Sequence, residues 1–350
     1  MHSYTTNTPF HLENGGVLEH FSMTYHTYGK LNKTKTNVVW VCHALTANSD
    51  AQDWWSGIVG TGKLYDPNDY FIVCANTIGS HYGTTGPLTA QLNQCPLLDK
   101  FPGVTIRDMI NAHVLLRKHL GIQSINTLIG ASIGGQQAVE WAITEPQLIE
   151  QLILIATNAR HSAYGIAFNE SQRMAIYTDP TYGNGNIKGG VKGLIAARSI
   201  ALLSYRSYSG YAANQTDSDN ERTDDFLASS YQRYQGEKLA KRFNAYSYVL
   251  LSKAMDTHNV GRGRKSVEHA LARIQAKTLV IGIESDVLFP VSEQQFLAEH
   301  IQNARYEQIK SDFGHDGFLL EYEQLTHCIR AFYEDKLPDS LPGLSAINYN

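Results

Sequence analysis

The chain has 350 residues, 43% hydrophobic and 18% charged, a balance that suits a soluble globular protein able to bury a large core. A formal net charge of −4 supplies no clustered positive field for phosphate backbones or anionic membrane surfaces. No apolar stretch approaches the roughly 18 residues of a membrane helix, so nucleic acid and membrane are excluded as expected partners.

The first residues, "MHSYTTNTPFHLENGG", contain neither the basic nor the apolar region of a secretory signal. The four cysteines include no C-x-x-C pair, so no disulfide framework or zinc site is indicated and a reduced, cytoplasmic protein is expected. Five short apolar runs then read as buried parallel strands: "NVVWVCHAL" (37–45), "YFIVCANTIG" (70–79), "INTLIGAS" (125–132), "QLILIATN" (151–158) and "KTLVIGIESD" (277–286). "ARYEQIKSDFGHD" (304–316) is a weaker sixth. Helical patterns lie between them at 105–121, 134–146 and 292–301. Strand and helix in alternation predict a mostly parallel sheet covered on both faces.

The segment 160–264 breaks this rhythm. It holds helix-like stretches such as "GLIAARSIALLSYRS" (193–207) and "FNAYSYVLLSKAMDTH" (243–258), and no comparable strand. A helical lid inserted between the fourth and fifth strands is expected. "GNGNIKGG" (183–190) follows no strand and reads as a loop in that lid, and "GRGRK" (261–265) reads as a solvated loop. "GTGKL" (60–64) fails as a Walker A loop.

Gly130-Ala131-Ser132-Ile133-Gly134 fits G-x-S-x-G, with a strand before it and a helix after it. On such an elbow the serine stands on a strained turn, and the neighbours two residues away must lack a Cβ. The plain alternative is a tight strand–helix turn with a serine N-cap. A serine nucleophile needs a base and an orienting acid, in the chain order serine, acid, histidine. Asp286 closes the fifth strand and His315 follows the sixth, in "SDFGHDG". Asp312 and Asp316 are rival acids, but they lie too close to His315 in sequence to orient it from behind. The backbone N–H groups of Leu45, in "VCHALTANS", and Ile133 are the candidate oxyanion donors. His43 reads as a structural loop residue.

"VCHALTANS", "DYFIVCANTIGS", "YGTTGP", "GASIGGQQAVEWA", "AFNESQRMAI", "AARSIALLSYRS", the run 234–264, "IGIESDVLFP" and "FGHDGFL" together resemble, in order, the homoserine O-acetyltransferases of the α/β-hydrolase superfamily. The resemblance implies an α/β-hydrolase fold with a core at 1–159 and 265–350 and the lid at 160–264. It implies the same triad of Ser132, Asp286 and His315. It adds Arg206 as the holder of the homoserine carboxylate and Asp316 as the holder of the amino group. Acetyl-CoA and L-homoserine are the implied substrates, in methionine biosynthesis, with no metal or resident cofactor, in a homodimer.

The loop "SHYGTTGPLTAQLN" (80–93) departs from the Cys-containing, Ser-Ser-rich form usual in the family. It lies near the expected acyl pocket, so a homoserine O-succinyltransferase or a serine O-acetyltransferase stays open. A carboxylesterase and a catalytically silent ligand receptor are the readings from other classes. Arg206 and Asp316 argue against the first, and the unbroken triad against the second.

Overall fold

The computed structural model describes residues 1–92 and 95–336. The end of the 80–93 loop, Asn93, and the last part of the expected core segment, 337–350, lie outside the described residues. Eight strands form one sheet: β1 (His2–Thr6), β2 (Phe21–Tyr28), β3 (Val38–Cys42), β4 (Phe71–Ala75), β5 (Ile125–Ala131), β6 (Ile149–Ile155), β7 (Lys277–Ile283) and β8 (Ala304–Ile309). Their spatial order is β1-β2-β4-β3-β5-β6-β7-β8. From β4 to β8 every pairing is parallel, while β1 and β2 add to the edge antiparallel.

The five apolar runs become β3 to β7, and the weaker sixth becomes the partly buried edge strand β8. Successive side chains of a strand enter opposite faces, so a run apolar throughout has to be covered twice. Trp40, Leu128 and Leu152 pack on one face with helices α1 (Ile106–His119), α2 (Ile133–Thr144) and α8 (Val291–His300). Val39, Val41, Ile129 and Ile153 pack on the other face with Trp55 and with Leu325, Ile329 and Phe332 of α9 (Tyr322–Tyr333). Helix α1 starts at a capping box, in which Thr105 accepts from the Asp108 N–H and Asp108 accepts from the Thr105 N–H.

Between β6 and β7 run α3 (Ala163–Tyr177), α4 (Val191–Tyr205), α5 (Tyr208–Gln215), α6 (Leu227–Ala240) and α7 (Ala245–Asp256). The two ends of this segment are zipped together. His161 N–H donates to His258 O at 3.0 Å and Val260 N–H to Ala159 O at 3.0 Å. The His258 ring adds a 2.9 Å bond to Asn158 O. This brings the helical segment back to the sheet beside the carboxyl ends of β5 and β6.

One expectation is corrected here. "GRGRK" is solvated only in part: Gly263 and Lys265 are exposed, but Arg264 reaches buried Glu140 at 2.6 Å and Arg262 reaches Glu13 at 2.7 Å. Glu140 also holds Arg107, at 3.1 Å. A carboxylate this deep needs cations, and this loop supplies one of them.

Candidate active site

Ser132 follows the last residue of β5 and stands at the N-cap position of α2 with φ 58° and ψ −129°. An L-residue in that region is strained, by about 1–3 kcal/mol. The turn that imposes the strain is crowded on both sides. A Cβ at Gly130 would lie 2.2 Å from Gly134 O, and one at Gly134 would lie 2.1 Å from Cys42 O. The Ser132 backbone is bolted down by Ser132 N–H to Ile155 O at 3.1 Å and by Thr157 Oγ1–H to Ser132 O at 2.8 Å.

A serine at an N-cap ordinarily accepts from the helix with its side chain. Ser132 makes no such capping bond. Its Oγ lies instead 2.9 Å from His315 Nε2, and His315 Nδ1 lies 2.6 Å from Asp286 Oδ2. The second carboxylate oxygen of Asp286 accepts the N–H groups of Leu288 and Phe289, both at 2.9 Å. Four bonds thus fix the direction of the chain Asp–His–Ser. All three residues are buried.

The His315 ring is stacked on Phe289, with centroids 5.0 Å apart, and is flanked by Phe318 and Tyr205. Burial in this apolar cage disfavours the imidazolium. The charge and hydrogen bond of Asp286, with the charge of Asp316, outweigh it, and the His315 pKa lies above the usual imidazole value. His43 shows what burial does without a carboxylate: its pKa falls to about 4.

The loop after β3 passes against Gly134 and forms a turn closed by Ala47 N–H to Ala44 O at 3.0 Å. His43 braces it from inside. Its Nδ1–H donates to Ala44 O at 2.8 Å, and its Nε2 accepts the Thr77 N–H at 3.1 Å. Among the described residues, neither the Leu45 N–H nor the Ile133 N–H meets a protein acceptor.

Arg206 ends α4, and its Nη1 is 2.7 Å from Asp316 Oδ2. The separation is that of an ion pair, yet Nη1 lies outside hydrogen-bonding geometry to that oxygen and has no other acceptor. Arg206 Nε also lies 3.4 Å from the Tyr231 hydroxyl. Asp312, the other rival acid, turns away to Ser209 Oγ at 3.2 Å. A cavity of about 250 Å3 opens beside Arg206, between Tyr211, Asn214, Tyr231, Phe313 and Leu320. A larger one, about 600 Å3, is lined by Lys63, Tyr322, His327 and Arg330 and contains none of these groups.

All seven expected residues thus fall at the carboxyl ends of strands or on the helical segment facing them. Ser132, Asp286 and His315 are joined by hydrogen bonds, and Arg206 and Asp316 meet directly. Sequence reasoning missed Phe289, which stacks on His315, and Arg242, which reaches Thr46 O at 2.6 Å. The nearness of "SDVLFP" to Asp286 was a usable signal for Phe289. Arg242 had none.

Residues 37–322 match the family model described as alpha/beta hydrolase fold. A homoserine O-acetyltransferase of Cyclobacterium marinum is 47% identical over 323 residues, covering 92% of each chain. The solved homoserine O-acetyltransferase of Staphylococcus aureus superposes with a TM-score of 0.78 at 30% identity, over 97% of this chain and 96% of that one. Esterase E22 gives a TM-score of 0.85 at 23% identity, over 95% of this chain and 98% of that one, a likeness of fold alone.

Proposed function

We propose, for a chain that belongs to the homoserine O-acetyltransferase family of the α/β-hydrolase fold, a two-step transfer in which Ser132 carries the acetyl group. His315 Nε2 takes the Ser132 hydroxyl proton as Oγ attacks the thioester carbonyl of acetyl-CoA. The N–H groups of Leu45 and Ile133 receive the negative charge that forms on the carbonyl oxygen, a contribution of about 3 kcal/mol per donor. The tetrahedral intermediate collapses, CoA leaves with the proton held by His315, and the acetyl group stays on Ser132. L-Homoserine then binds with its carboxylate on Arg206 and its ammonium on Asp316. His315 takes the proton of the side-chain hydroxyl, and attack on the acyl-serine releases O-acetyl-L-homoserine. Asp286 holds the imidazole tautomer and stabilises the imidazolium in both steps.

The observation that carries this reading is the pair of bonds at 2.9 and 2.6 Å through His315, made by a serine whose helix-capping bond is forgone. The place of Arg206 on the wall of a cavity supports an anionic acceptor, because a planar fork suits a carboxylate. The residues 160–264 act as a lid that favours a positioned hydroxyl over bulk water.

A homodimer is part of the same reading. The large side chains of Tyr164, Met174 and Tyr177 on α3 are exposed, which supports an interface between two copies. No helix among the described residues is long and apolar enough to cross a membrane. The proposed place of work is the cytoplasm.

Thiol release from acetyl-CoA and from succinyl-CoA, each with homoserine, with serine and with no acceptor, tests the proposal. Release that requires acetyl-CoA and homoserine together is the expected result. Equal release without an acceptor makes the protein an esterase-like hydrolase, and preference for succinyl-CoA or serine changes donor or acceptor.

A further inference from the structure

We propose that Arg242 is a positioning residue for the oxyanion turn, so that the seating of the helical segment and the alignment of the Leu45 N–H are one event. The inference rests on the reading of Leu45 as an oxyanion donor. Ala44 and Ala47 close the oxyanion turn, and in a four-residue turn the N–H of the second residue lies outside the closing bond. That residue is Leu45, so its N–H is free to face the reacting carbonyl. Where it points depends on what holds the turn's own carbonyls.

Two side chains hold them. His43 Nδ1–H fixes Ala44 O from the core side. Arg242 Nη1–H fixes Thr46 O at 2.6 Å from the helical side, with Nη2 at 3.4 Å from Thr46 Oγ1. Arg242 lies just past the end of α6, and 196 residues separate it from Thr46. The guanidinium makes no ion pair among the described residues.

The same segment grips a second core loop. Tyr82 O–H donates to Arg242 O at 2.9 Å, Arg242 Nη1 lies 3.3 Å from the Tyr82 oxygen, and Phe243 meets the His81 ring edge-on at 4.8 Å. Arg242 is thus a point where the helical segment touches the turn that carries Leu45. A charge-assisted bond to a carbonyl is about twice as strong as a neutral one. Losing it lets the turn tilt, and misplacing a catalytic group by a fraction of an ångström reduces rate without altering ground-state binding.

The test uses the full chain as wild type, R242M, R242K and S132A, each with a thermal melt to confirm folding. Methionine keeps the apolar stem and removes the donors, and lysine keeps one donor. The substrates are acetyl-CoA with homoserine, and p-nitrophenyl acetate, an acetyl donor without phosphates or pantetheine. In R242M we expect kcat to fall about tenfold or more with both donors, at KM values within about twofold of wild type, and R242K to recover part of it. If R242M fails to fold, the same lowered kcat at unchanged KM in R242K carries the proposal. An unchanged rate with p-nitrophenyl acetate, or a KM rise confined to acetyl-CoA, overturns it and makes Arg242 a contact for the CoA phosphates. If S132A still turns over either donor, the acyl-serine reading fails first and this inference falls with it.

Discussion

Arg206 Nη1 stands 2.7 Å from Asp316 Oδ2, so the two groups assigned to opposite ends of an amino acid neutralise each other across the site. A zwitterion that enters between them exchanges one ion pair for two and brings no net charge. Removing either partner orphans the other in a half-buried place, and that cost adds to the lost substrate contact. Arg206→Met and Asp316→Leu are each expected to lower kcat/KM for homoserine about a hundredfold, near 3 kcal/mol. The double variant loses less than the sum of the two. Steady-state kinetics with homoserine at saturating acetyl-CoA measure the cycle. Strict additivity would mean that the two groups do not act as a pair.

As the proposed base, His315 is expected to set the pH dependence. Burial lowers its pKa, and Asp286 with Asp316 more than offsets this, so the folded-state value lies above 6.5. The base acts neutral, and kcat/KM is therefore expected to rise with pH along an acid limb centred above 6.5. The ion pair's contribution to stability has the opposite sense: it is fully present below the unfolded pKa and is lost as pH rises through the folded one. In Asp286→Asn burial prevails, so the limb moves to lower pH while kcat drops by about 10^3 to 10^4. A limb that stays in place would show that Asp286 is not the group that raises His315.

Gly134 has no tolerance for a side chain. Its Cβ would sit 2.1 Å from Cys42 O, a backbone atom of β3 in the middle of the sheet. Gly134→Ala is expected to cost roughly 3 kcal/mol or more, because neither backbone can yield without moving the elbow. Denaturant melts of the purified variant check this. A near-wild-type midpoint would mean that the elbow relaxes, and the strain assigned to Ser132 would need revision.

Glu293, at the start of α8, is pushed up to about 7 by burial, with the Asn158 bond opposing and the charge of Asp286 adding to the rise. Asn158 Nδ2 donates to it at 2.9 Å, and among the described residues no cation pairs with it. A carboxyl whose folded pKa is raised contributes stability at low pH and loses it as pH climbs through the folded value. Glu293→Gln preserves the bond to Asn158 and removes the charge. Its stability relative to wild type is expected to improve from pH 5 to pH 8, by on the order of 2 kcal/mol. Parallel melts at the two pH values test it, and a constant difference would place Glu293 in contact with water.

The elbow and its two partners were legible in the chain because their positions are local properties of strand ends. Ser132 and Asp286 each follow an apolar run that the sheet covers on both faces, His315 follows the partly buried edge strand β8, and strand order brings those ends together. β1 and β2 were not legible. "HSYTT" and "FSMTYHTY" lie at the antiparallel edge and are rich in Thr, Ser and Tyr, so neither shows a continuous apolar run. The arginines of "GRGRK" were misread because their acids, Glu140 and Glu13, lie more than a hundred residues away. Arg242 is the extreme case, since its acceptor is a backbone carbonyl, which no residue type announces.

An acetyl group carried by Ser132 between the two substrates leaves a covalent trace. Incubation of the protein with acetyl-CoA alone, followed by digestion and mass spectrometry, should find an acetyl mass on the peptide that contains Ser132. Addition of L-homoserine should discharge that label into O-acetyl-L-homoserine, and Ser132→Ala should take up no label. Direct formation of O-acetyl-L-homoserine by Ser132→Ala, or a label on Ser132 that homoserine does not discharge, would contradict the account.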